Sequence, residues 1–246
     1  EQRRTVSAVS CGMLHSDEVR LAKQSADVAG VRWHGVPLGP ADFVEWLPEA
    51  LRRNEEFDIF VQGAHGAMHA AAASLGEGLM TGWDLDLELR GTYLEESVLA
   101  MRDRTEVPAL VQRTWGLFDR EALARLLKPD ARPAILDVAD DWLTDYVEGH
   151  PGGDPQSIYL GFIRDFEKRR LLMLRNRMIR FELDSLTPFY EGRLRRRLAA
   201  LPETKKVGNR LFAALLTRLS PELAAVPYQR TLLPASAPVE LWASGA

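Results

Sequence analysis

Apolar positions change their spacing several times along the chain, and each change predicts an element. Thr5–Ser10 is a short run of apolar and small residues, the pattern of a buried strand. Ser16 then stands as an N-cap before Asp17 and Glu18, and Val19, Leu21, Ala22, Ala26, Val28 and Ala29 recur at helical spacing until Gly30 stops them. Val31–Leu38 predicts a second strand, and residues from Pro40 to Arg53 a second helix. Strand and helix alternating over short connections argue for a parallel sheet covered by helices. Asp58–Gln62 reads as a short strand or a helix end, and Leu79–Thr81 as another strand.

The next stretch is the least ordinary in the chain. In Leu79–Glu95, Asp84, Asp86 and Glu88 alternate with Trp83, Leu85, Leu87 and Leu89, and Gly82 and Gly91 bracket the run. Alternation suits a half-buried strand with a wet acidic face. Carboxylates beside flexible glycines suit a functional loop equally well. At the end of a parallel strand, such a loop is where ligands are bound.

Beyond Tyr93 the spacing becomes helical: Glu95–Arg102, Asp119–Leu127 and Val138–Tyr146, separated by Pro108, Pro129 and Pro133. Gly149–Pro155 is a break. The longest predicted helix, from Gln156 to Leu183, repeats Tyr159, Phe162, Ile163, Phe166, Leu174, Met178 and Phe181 on one face. Thr187–Tyr190 ends it, helices over Glu191–Ala200 and Gly208–Leu219 follow, and Pro221–Ala246 reads as an irregular tail.

Composition narrows the class. A chain of 246 residues with 46% hydrophobic and 27% charged residues is globular, and no run approaches the length of a membrane span. Residues 1–20 lack a signal peptide's apolar core, and the single cysteine, Cys11, excludes disulfides within the chain and thiolate zinc sites, so a cytoplasmic setting is the expectation. Cys11 ends an apolar run and reads as a small buried side chain rather than a nucleophile. The net charge of −4 hides an excess of +6 over residues 164–197 against −12 over the first 163. Such blocks are solvated helix faces or opposite walls of a phosphate-handling cleft, and they do not resemble a nucleic-acid-binding face. His65 and His69 have helical spacing, but Gly66 stands where a metalloprotease helix needs glutamate.

Three stretches, in order, resemble the synthetase domain of the asparagine synthetase family, which adenylates a carboxylate with ATP and lets an amine attack. Ser7–Leu38 resembles the strand, helix and histidine-bearing strand after the family's nucleotide loop, with His34 as the histidine. GWDLDLELRGTY resembles the family's G-x-G-x-D-E-x-x-x-G-Y loop, with Asp86 on the aspartate and Gly91 on the second glycine. The segment from Asp184 to Thr231 resembles the E-x-R-x-P-F-L-D segment and the helices after it. There Pro188, Phe189 and Leu201–Pro202 match, Glu191 stands for the aspartate, and Leu186 takes the place of the arginine. Trp83 and Leu87 also depart from the family pattern, and its Ser-Gly-Gly-x-Asp-Ser nucleotide loop is absent from the 246 residues.

The resemblance implies an α/β fold: a partial adenine nucleotide alpha-hydrolase-like parallel sheet flanked by helices (1–95), then a mostly helical region (96–230) and an irregular tail (231–246). It implies ATP and Mg²⁺ as cofactors, Asp86 as a metal ligand, and Gly82, Asp84 and Gly91 as cofactor-binding positions. Lys205, Lys206 and Arg210 would stabilise charge on the adenylate or pyrophosphate. The implied activity is AMP- and pyrophosphate-forming amide ligation, in peptide or natural-product tailoring, between a carboxylate substrate and an amine donor. A preceding segment would supply the first strand and nucleotide loop, with a glutaminase domain or a homo-oligomer as compatible additions. The rival expectations are a pseudoenzyme that serves as a binding partner and an unrelated nucleotide-binding protein of the same sheet class.

Overall fold

Ser16 caps the first helix as its sequence predicts, its hydroxyl accepting from the Val19 amide at 3.4 Å, and Gly30 follows the helix end in the left-handed region at φ 66°. The computed structural model describes residues 5–54, 65–116 and 120–238. In chain order the elements are β1 (Ser7–Gly12), α1 (Asp17–Val28), β2 (Arg32–Pro37), α2 (Pro40–Asn54), α3 (His65–Ala73), β3 (Gly78–Met80) and the single turn α4 (Leu85–Glu88). Then come α5 (Glu96–Ala100), α6 (Val107–Trp115), α7 (Arg120–Leu126), α8 (Arg132–Glu148) and α9 (Pro155–Phe162). A π-helical run, Ile163–Leu172, leads into α10 (Met173–Arg180), β4 (Asp184–Leu186), α11 (Gly192–Ala199), α12 (Arg210–Leu219) and α13 (Pro221–Ala224). The predicted strand or helix end at Asp58–Gln62, the start of the helix at Asp119 and the tail beyond residue 238 lie outside the described residues.

The fold is α/β, with helices around two small parallel sheets. β1 pairs with β2 from Ser7 opposite Arg32 to Gly12 opposite Pro37, and β3 pairs with β4 from Gly78 opposite Asp184 to Met80 opposite Leu186. By contacts the chain divides into two compact units, residues 1–92 with 168–246 and residues 93–167. All four strands belong to the first unit.

In that unit the strands close over a small apolar cluster. Ala72, Ile179 and Leu183 are buried there, with Val9, Ala73, Leu79 and Trp83 packed against them. The second unit is built from helices. Its core takes Val98, Val107, Leu110, Val111, Leu143, Ile158, Tyr159 and Ile163 out of water. The Gln156 side-chain amide donates to the carbonyls of Val98 (3.1 Å) and Met101 (3.0 Å) at the C-terminal end of α5. Tyr146 donates its hydroxyl to Asp165 at 3.1 Å, and burial together with that carboxylate raises its pKa above the ordinary tyrosine range.

Several sequence expectations change here. The alternating acidic stretch is a helical turn that buries two of its three carboxylates: Asp84 and Glu88 have no exposed surface, so it is not a strand with a wet face. Pro108 and Pro133 start α6 and α8 instead of separating helices, since the first turn of a helix has no use for the missing N–H. The long helix is not uniform but contains ten π-helical residues, and Asp184–Leu186, within the segment leading to the helix break, forms β4. Pro221–Ala224, read as tail, is a short helix capped by the Ser220 hydroxyl.

Candidate functional site

β3 ends by donating one further ladder bond, from the Thr81 amide to the Leu186 carbonyl at 2.9 Å, and the chain then turns sharply. Asp84 adopts φ 69°, a conformation open to Asp and Asn at modest cost because their short polar side chains tolerate it. The Leu85 amide bonds to Gly82 O, Glu88 to Asp84 O and Leu89 to Leu85 O, which winds the turn. Gly91 closes the loop at φ 60°, and the Thr92 amide returns to Asp86 O at 3.0 Å.

The three carboxylates of this turn have different surroundings. Asp86 is a third exposed and accepts from the Lys168 ammonium at 2.6 Å through one oxygen and from the Leu87 amide at 3.0 Å through the other. Glu88, fully buried, pairs with Arg195 on α11 at 3.7 Å. Asp84 is fully buried, and neither of its oxygens has a hydrogen-bond partner among the described residues. Burial pushes its pKa up to about 6; the Lys168 and Arg195 charges oppose that rise, while Glu88 and Asp86 reinforce it.

The other side of the loop meets the segment in which the resemblance locates its phosphate-facing cation. A Cβ on Gly91 would lie 2.8 Å from the carbonyl carbon and oxygen of Lys206, so only glycine fits there. Arg90 donates to Asn209 at 2.8 Å and stacks on the Tyr228 ring at 4.4 Å. Lys206 is buried, its ammonium 3.3 Å from Glu203, whereas Lys205 and Arg210 are exposed. Of the residues inferred from sequence, Gly82, Asp84, Asp86 and Gly91 thus lie on one loop, with Gly91 against the Lys206 backbone, while Lys205 and Arg210 face solvent.

Lys168 and Arg195 were not singled out by sequence. Both lie in the basic block, whose face reads as solvated on a regular helical period. Lys168, however, sits within the π run, where i→i+5 bonding turns side chains away from the positions that an α-helical period assigns. Its signal would have been a lone lysine in a region otherwise coloured by arginine.

Among the described residues, no three His, Cys, Asp or Glu side chains are grouped so that they could hold a metal ion by themselves. His69 is buried on α3, where desolvation, helped by the nearby His65 and Arg53, lowers its pKa to about 4 and keeps the imidazole neutral. His34 on β2 stands opposite Val9, with its Nε2 buried and unbonded. Cys11 is partly buried, and burial with the nearby Glu18 raises its thiol pKa, opposite to what a nucleophile needs. Family models, curated proteins and solved structures contain no match to the chain. No helix among the described residues is long and apolar enough to cross a membrane.

Proposed function

We propose that the chain is the larger part of an asparagine-synthetase-like, ATP-dependent amide ligase, whose sheet is of the adenine nucleotide alpha-hydrolase type. It joins a carboxylate to an amine with release of AMP and pyrophosphate. The observation that carries this reading is the meeting of two stretches far apart in sequence, the Gly82–Gly91 loop and the Lys206–Asn209 segment, through Gly91 against Lys206 and Arg90 on Asn209. A loop of this kind after a parallel strand is suited to hold a phosphate-bound cation.

Asp86 fits Mg²⁺ as one oxygen ligand, because its carboxylate is a third exposed and Mg²⁺ bound to phosphate needs only one or two carboxylates besides water. Mg²⁺ would neutralise charge on pyrophosphate. Asp84 and Glu88 are closed from solvent and serve the loop's shape and charge balance instead. Lys168 holds Asp86 in place, and the residues of the Lys205–Arg210 segment supply positive charge. The nucleotide loop must come from a preceding segment.

A second reading, a pseudoenzyme that binds a partner without ATP chemistry, is favoured by one contact. The Lys168 ammonium already stands 2.6 Å from the oxygen of Asp86 that a cation would use. The chain joined to its upstream segment separates the two readings. The ligase exchanges labelled pyrophosphate into ATP in the presence of Mg²⁺ and a carboxylate substrate, and Asp86→Asn abolishes that exchange. No exchange in the joined chain leaves the pseudoenzyme, and exchange untouched by Asp86→Asn removes Asp86 from the site.

A further inference from the structure

Helix α8 is apolar on two faces. Leu136, Leu143 and Val147 are buried in the core of the 93–167 unit, as one face of a surface helix should be. On another face Ile135, Val138 and Trp142, at i, i+3 and i+7, form a second stripe, 45%, 66% and 41% exposed. Single exposed apolar side chains are ordinary; a continuous stripe rimmed by charge is the usual form of an interaction site. The rim is there. Asp137, Asp141 and Asp145, at i, i+4 and i+8, and then Glu148 are exposed along the flank of the stripe. Arg120 on α7 pairs with Asp137 at 3.5 Å and with Asp140, whereas among the described residues no cation pairs with Asp141, Asp145 or Glu148. Residues 93–167 hold fifteen Asp and Glu against eight Lys and Arg, so the whole unit is acidic. Trp142 is also held in place, its ring edge-on to Phe166 at 4.6 Å and 6.2 Å from Phe162. A tryptophan braced on one side and open on the other offers contact area with little side-chain freedom left to lose.

We infer that this face of α8 docks a basic amphipathic helix of a partner protein. The partner's apolar residues, at the same helical spacing, cover Ile135, Val138 and Trp142, and Lys or Arg along one flank meets Asp141, Asp145 and Glu148. Charge complementarity sets the sign of the partner. Its helical form follows from what α8 offers, which is ridges of side chains and no open backbone edge; an extended segment laid on it would leave its own amides and carbonyls without partners. From Ile135 to Glu148 the face is about 20 Å long and takes about fourteen residues of partner helix. A second copy does not fit through the same face, because its α8 brings the acids again with Arg132 as its single cation. No residue of this face belongs to the ligase reading, so the two stand or fall separately.

The test mixes the full chain with a labelled synthetic helix of about sixteen residues, Leu on one face and Lys along its flank, and follows fluorescence anisotropy. The expected result is a micromolar dissociation constant at low salt that weakens about tenfold at roughly 0.5 M salt, where exposed charges are screened. Val138→Lys, at an exposed position, weakens binding by about tenfold at unchanged melting temperature, and Asp141→Lys combined with Asp145→Lys removes most of the salt dependence. The same peptide with Glu for every Lys binds at least about tenfold more weakly. No binding of the Lys peptide at roughly 0.2 mM, equal binding of the Glu peptide, or binding that Val138→Lys leaves unchanged overturns the proposal. A fall of several degrees in the melting temperature of Val138→Lys shows the stripe covered within the chain. A dimer in sedimentation equilibrium that Val138→Lys dissolves shows it covered by a second copy. Either result overturns the partner helix. None of these measurements involves ATP, so peptide binding without pyrophosphate exchange counts against the ligase alone.

Discussion

A carboxyl group shut away from water and given no hydrogen-bond donor among the described residues is a cost that the fold carries, and Asp84 is that group. Its pKa of about 6 in the folded chain stands above the ~3.9 of an unfolded aspartate. The folded state therefore binds the proton more tightly. Stability from this residue is fully present below about pH 4 and is lost as pH rises through 6. Asp84→Asn removes the titration while keeping a residue at ease with positive φ. Urea midpoints of the two proteins should converge near pH 4 and separate above pH 6, with the asparagine variant more stable by about 2 kcal/mol. Equal midpoints at pH 7 would place the charge of Asp84 in contact with water. Gly91 makes the opposite case, a residue with no alternative. Gly91→Ala combines left-handed strain with a Cβ 2.8 Å from the Lys206 backbone. It should lower stability by about 2–4 kcal/mol, read as a fall in melting temperature.

At the scale of elements, the Asp86–Lys168 pair ties α4 to the π-helical run, and its two ends are unequal. Lys168 is 2% exposed in its side chain and Asp86 35%. Removing the carboxylate with Asp86→Ala takes an ion-pair partner from a buried ammonium, and the expected loss is about 3 kcal/mol. Removing the ammonium with Lys168→Met leaves a carboxylate that water can reach, at a loss of about 1 kcal/mol. A double variant closer to Lys168→Met than to Asp86→Ala in denaturant midpoint would establish the asymmetry; equal single losses would contradict it. The same element shows where sequence reading stops. α1 was legible because Ser16, Asp17, Glu18 and Gly30 are local signals at both its ends. β1 and β2 were legible as apolar runs, and the loop after β3 through its glycines and acids. The direction of those acids was not, because alternation describes a strand and a buried turn alike. β4 was hidden because three residues carry no periodicity. Lys168 was hidden because a π-helix breaks the period on which its face would have been assigned. Pro108 and Pro133 read as breaks because proline marks a helix start as readily as a helix end.

At the scale of the whole molecule the chain divides into two compact units. The unit from Tyr93 to Glu167 is held by side-chain contacts between its helices: the Gln156 amide on the α5 carbonyls, the Trp115 indole donating to the Tyr159 hydroxyl at 3.1 Å, and Trp142 edge-on to Phe166 at 4.6 Å. Its elements are helices with short connections, a topology that needs no distant strand pairing and folds quickly. The other unit depends on pairing Gly78–Met80 with Asp184–Leu186, about a hundred residues later in the chain, and among the described residues its strands form two pairs. The segment Tyr93–Glu167, expressed alone, should therefore give a helical circular dichroism spectrum and a cooperative melt. A chain in which that segment is replaced by a short Gly/Ser linker should melt at a lower temperature. A broad, non-cooperative melt of the helical segment would reverse this division, because its core would then depend on the rest of the chain.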